Sequence, residues 1–155
     1  MKNHIGINQE SANLLIDKLN ELLANTQIFY MNTRGMHWNI KGEKFFELHL
    51  KFEELYTDLN LKVDEIAERI LTLGGTPLHT YSEYYKLSEI QESSYLNSAQ
   101  VCITNILESF EILLIQEREI LQISTDANDE GTSALMSDYI RLQEKMVWMY
   151  RAYNS

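Results

Sequence analysis

Between Asn8 and Tyr153 apolar residues recur at steps of three and four along four long stretches, and the chain holds a single proline. With six glycines as the other breakers, a chain of 155 residues is directed toward a few long helices rather than many short strands. In the first stretch Leu15, Leu19, Leu22, Leu23, Thr26, Phe29, Tyr30 and Thr33 form a broad stripe, which predicts a helix from about Asn8–Ser11 to about Met36. His37 and Trp38 stand at its end, and Asn39 to Gly42 reads as a loop.

A second helix is expected from about Phe45 to Leu73, with Phe45, Leu48, Phe52, Leu55, Tyr56, Leu59, Val63, Ile66 and Ile70 inward. Gly74-Gly75 and then Pro77 supply its stop. The connection from Thr76 to Glu92 is long for a bundle and has room for a short helix at Tyr81 to Tyr85. A third long helix is expected over about Ser94 to Ile123, with Ile103, Ile106, Leu107, Phe110, Leu113 and Leu114 inward. A turn at Asp126 to Gly131 follows, with Thr132 or Ser133 capping the last helix. Leu135, Tyr139, Leu142, Met146, Met149 and Tyr153 are its expected inner face. Four long helices with one long middle connection describe an all-α, four-helix bundle of ferritin-like topology. Residues 1–155 read as a single domain, with 1–7 as a flexible N-terminus.

Charge and cysteine content narrow the partners. A formal charge of −10 argues against tight binding to nucleic acid, and Met1 to Gly6 offers one lysine where a DNA-binding arm would need several. Cys102 is the only cysteine, so no intrachain disulfide forms and a reducing cytoplasm is expected. No secretory leader opens the sequence and no run of about 18 apolar residues occurs, so no membrane partner is expected.

His37, His49, Glu53, Asp64 and Glu68 have metal-ligand chemistry. His49 and Glu53 are four residues apart on the second helix, as are Asp64 and Glu68, so each pair is stacked on one helix face. His37 can fold back toward His49 across the short loop. At about 1.5 Å per residue, however, His49 and Asp64 stand roughly 22 Å apart along the axis. One ion can use both ends only if two chains supply them. Antiparallel pairing about a two-fold axis near Tyr56 and Thr57 would oppose His49 of one chain to Asp64 of the other.

Mixed imidazole and carboxylate donors suit redox-active iron better than structural zinc or calcium. The Glu-x-x-His motif of bundles that enclose two irons is absent from this sequence. A plainer interpretation also stands: a histidine at a helix end that packs or caps, and carboxylates that pair with Lys62, Arg69 or a neighbouring helix.

The combination His37-Trp38, Gly42, Phe45-Phe46, Leu48-His49, Phe52-Glu53, Tyr56, Asp64-Glu65-Ile66-Ala67-Glu68-Arg69 and Gly74-Gly75 resembles the Dps family. These are the DNA-protection-during-starvation proteins, or mini-ferritins. The resemblance implies a hollow dodecameric shell with ferroxidase sites at two-fold interfaces. His37 and His49 would come from one subunit and Asp64 and Glu68 from the other, with Glu53 where the family has an acidic residue, usually aspartate. It implies oxidation of Fe(II), preferably by hydrogen peroxide, and storage of Fe(III) mineral in the cavity. Trp38 would be an electron relay or radical trap, or an aromatic anchor. Asp126, Asp129 and Glu130 would line an iron-entry pore, or form a solvated turn. A DNA-compacting structural role is the alternative within the same family.

Overall fold

The computed structural model describes residues 1–155. Its elements are α1 (Gln9–Asn39), α2 (Phe45–Thr72), α3 (Tyr81–Leu87), α4 (Ala99–Asp126) and α5 (Glu130–Tyr153). There is no strand, only an isolated bridge between Lys2 and Asn8. α1 packs against α2 and α4, α4 against α5, and the short α3 lies on α1. This is the all-α, ferritin-like bundle with an extra helix in the middle connection. Phe29, Phe52 and Phe110 fill its centre; Phe29 meets Phe110 edge to face at 5.1 Å. Truncating such a ring to alanine costs about 3–5 kcal/mol.

Several helix ends differ from expectation, two of them because a side chain claims a backbone group. α1 continues past Met36 to Asn39, since nothing breaks it before Gly42, whose φ of +111° makes the turn. His37 and Trp38 therefore belong to its last turn. α4 starts at Ala99 behind Ser98, not at Ser94. Asn32 accepts the Ser93 N–H at 2.9 Å and donates to the Gln91 carbonyl at 2.9 Å, which holds that stretch extended. α5 starts at Glu130 because Asp129, rather than Thr132 or Ser133, is its cap: Oδ1 of Asp129 accepts the Thr132 N–H at 3.1 Å.

The inner face of α5 also departs from the predicted one. Leu142 and Met149 are exposed, while Thr132, Ser133, Met136, Ile140, Gln143 and Tyr150 are buried. Polar residues occupy part of the core-facing stripe, so the apolar residues alone mislead. Residues 1–7, expected as a flexible arm, take up a closed turn. Asn3 accepts the Ile5 and Ile7 N–H groups and donates to the Leu73 carbonyl at 3.3 Å. α4 is the one helix long and apolar enough to cross a bilayer, and its apolar face is packed on α1 and α5.

Where α5 begins, Arg69 of α2 ties it down. Its guanidinium donates to Asp129 at 2.7 Å and to Thr132 Oγ1 at 2.9 Å. Gly131 makes room for it: a Cβ there would lie 2.6 Å from Arg69 Nη1.

Candidate metal centre

Two helix ends build the histidine pair. His37 closes α1, His49 lies in the second turn of α2, and the tight loop at Gly42 brings them face to face. Their rings stack at 3.8 Å with planes 12° apart. Nδ1 of His37 donates to the His49 backbone carbonyl at 2.6 Å, and Nδ1 of His49 donates to the His37 carbonyl at 2.7 Å. Carbonyl oxygens only accept, so this exchange fixes a proton on each Nδ1. In the neutral rings each Nε2 then keeps its lone pair, the arrangement that a metal-binding histidine needs.

Glu53 joins the pair from one turn further along α2. Its Oε1 lies 3.7 Å from His37 Nε2, and its side chain is half exposed. Aromatic walls support the rings on the other sides: Phe45 stacks on His49 at 4.9 Å, and Tyr56 meets His37 edge-on at 5.3 Å. Tyr56 thus points inward, leaving exposed Thr57 at the middle of the outer face of α2. Trp38 is 58% exposed, with the Arg34 guanidinium 4.9 Å from its ring centroid. The same guanidinium lies over Tyr30 and Tyr56.

Asp64 and Glu68 are not part of this group. Both are exposed further down α2, and no group of three or more His, Cys, Asp or Glu side chains within one chain is arranged to hold a metal ion by itself. The suggested pairing with Lys62 and Arg69 is not made either. Lys62 goes to Asp58 and Arg69 to Asp129, which leaves Asp64 and Glu68 without an ion-pair partner. A single protomer therefore presents an imidazole half-site where α1 meets α2 and a separate carboxylate half-site further along α2.

The acidic turn before α5 divides. Asp126 and Glu130 are exposed, but Asp129 is 1% exposed and committed to Arg69 and Thr132. Asp129 is a capping residue, buried at the start of α5. Cys102 is fully buried and free, and burial pushes its thiol up to about 11.

Glu117 stands at no ligand spacing in the sequence. It is 1% exposed on α4, and loss of hydration raises its carboxyl to about 8 despite opposing contributions from Gln143, Lys62 and Arg118. A glutamate in an otherwise apolar stripe of α4 gives the only signal: Phe110, Leu113, Glu117 and Ile120 share one face.

Over residues 16–155 the chain matches the Ferritin family, a ferritin-like domain. It is 42% identical over 148 residues to a DNA protection during starvation protein of Porphyromonas gingivalis, covering 96% of this chain and 93% of the relative. With DNA protection during starvation protein 2 of Bacillus anthracis it shares 39% identity over 139 residues, 90% of this chain and 95% of the relative. The solved Dps protein of Vibrio cholerae O1, described as a member of a broad superfamily of ferritin-like diiron-carboxylate proteins, matches with a TM-score of 0.98 and 53% identity. That match covers 99% of this chain and 97% of the other.

Proposed function

The chain belongs to the Dps family of ferritin-like proteins, and from that premise we propose that it is a ferroxidase and iron store whose sites are completed between subunits. The observation that carries this reading is the two divided half-sites, one at the junction of α1 and α2 and one further along α2. His37 and His49 have their Nδ1 protons tied to carbonyls, while Asp64 and Glu68 remain exposed and unpaired within the protomer. An antiparallel partner supplies the missing half in each direction, so one dimer holds two equal sites. Twelve such chains form the shell, and the Fe(III) mineral collects inside.

Fe(II) is the substrate. The two Nε2 atoms bind it without displacing a proton, because the protons already reside on Nδ1. The partner's carboxylates, with Glu53 beside His37, balance the additional charge as iron loses an electron. Hydrogen peroxide is the preferred oxidant, and its consumption together with Fe(II) protects a cytoplasm from radical damage. Trp38, next to His37 in sequence and open to solvent, relays or traps stray oxidising equivalents. Asp126 and Glu130, without Asp129, are the remaining acidic residues for an iron entry route. DNA compaction is the weaker reading, because a chain of charge −10 repels phosphate, and more so when repeated in an assembly.

Stopped-flow measurement of Fe(II) oxidation with hydrogen peroxide and with dioxygen tests this function. Rapid oxidation, faster with peroxide and lost in both His49→Ala and Asp64→Ala, is the expected result. Full activity in both variants would reject the site.

A further inference from the structure

A second polar group sits inside the bundle, built from three helices. Lys62 (4% exposed) comes from α2, Glu117 (1%) from α4, and Tyr139 (3%) and Gln143 (1%) from α5. Half-buried Glu65, three residues after Lys62, accepts the Tyr139 hydroxyl at 2.9 Å. Gln143 is one turn beyond Tyr139, so the two side chains lie one above the other on α5. The Gln143 amide faces the Glu117 carboxyl without closing a well-formed hydrogen bond. Glu117 Oε1 and both amide atoms of Gln143 consequently lack a protein partner.

Buried polar atoms are normally satisfied, and each exception calls for a reason. Here carboxylate, amide and phenol oxygens face one another from neighbouring helices. Such a set suits a hard divalent cation, and the core of a helix bundle is where facing helices build metal sites. One member does not fit a cation site. The Lys62 ammonium pairs with Asp58 and lies 5.4 Å from the centroid of the Tyr139 ring, close enough to act electrostatically on Glu117. Lysine is almost never fully buried unless paired, and Asp58 supplies that pair.

We propose that Lys62 is a specificity residue, whose ammonium, tethered to Asp58 beside Glu117, Tyr139 and Gln143, repels a divalent cation from that cluster and keeps iron out of the bundle interior. A divalent ion entering there would meet a like charge at close range in a poorly solvated space. Metal is thereby confined to other parts of the molecule, wherever those lie. The inference needs no interfacial site and survives the loss of one.

The test uses Co²⁺ with the full-length chain carrying His49→Ala and Asp64→Ala, which removes the ligands proposed above. Lys62→Gln and the volume-matched Lys62→Met are added separately, and circular dichroism and thermal melting identify the folded variants. Titration calorimetry and anomalous diffraction then count and locate Co²⁺. The expected result is none inside the bundle with Lys62 present, one per chain on Glu117 once the ammonium is gone, and loss of that ion on adding Glu117→Ala. A folded Lys62 variant that takes up no interior Co²⁺ would overturn the proposal. So would equal interior occupancy with Lys62 retained, or a gain that persists without Glu117.

Discussion

His37 and His49 orient each other: each ring donates from Nδ1 to the backbone carbonyl of the other residue, at 2.6 and 2.7 Å. Neither histidine holds its position independently. Replacing one removes a ligand and also removes the stacked surface and the restraint on the other ring. His37→Ala, His49→Ala and the double variant should therefore lower the iron-oxidation rate by similar factors, well short of multiplicative. Rates from a double-mutant cycle check this, and fully multiplicative losses would show that the rings act separately.

If α2 carries half of each of two sites, damaged chains should complement one another. Mixing His49→Ala chains with Asp64→Ala chains creates pairs in which one site lacks both residues and the other is whole. Random pairing then restores about a quarter of the wild-type sites. Refolding the two inactive variants together and measuring Fe(II) oxidation gives the answer. No recovery in assembled mixed particles would place both residues in the same chain's site.

Asp129 and Asp126 should behave differently although both are acidic residues of one turn. Asp129→Ala leaves Arg69 unpaired and uncaps α5, a loss of about 3 kcal/mol or more. Thermal unfolding should fall sharply for that variant. Asp126→Asn, at an exposed position, should melt close to wild type. Neutralising Asp126 and Glu130 together should slow iron uptake and leave metal binding at the histidine pair unchanged; an unaltered uptake rate would dismiss the entry role.

Glu117 makes stability depend on pH in a direction opposite to most carboxylates. Its folded value, about 8, lies above its unfolded value of 4.5, so the folded chain retains a proton that the unfolded chain releases. Stability from this residue is complete below the unfolded value and declines as pH rises toward 8. Glu117→Gln should therefore gain on wild type between about pH 5 and pH 8, by on the order of a few kcal/mol, and hold a constant lead above that range. Denaturant midpoints for both proteins across pH give the comparison, and parallel curves would contradict it.

The long apolar spacings and the Gly74 stop made the helical plan legible, and α2 came out almost residue for residue because its inner face is nearly all apolar. α5 is less legible, since Thr132, Ser133 and Gln143 occupy inward positions while Leu142 and Met149 look outward. The ligand candidates could be named from residue type and spacing. Their local order could not: the exchange between Nδ1 atoms and carbonyls depends on a loop geometry that no pattern of side chains states. Asp129 and Glu117 were hidden for a related reason. A carboxylate in sequence carries no mark of the arginine it caps with, or of the apolar helices that surround it.

Gly131 has a reach beyond its own turn. Any methyl group there would press on Arg69, whose far end is already pinned by Asp129 and Thr132, so the strain would pass into the α2 backbone. A single hydrogen atom at the start of α5 thus preserves the clasp by which Arg69 holds the last helix to α2.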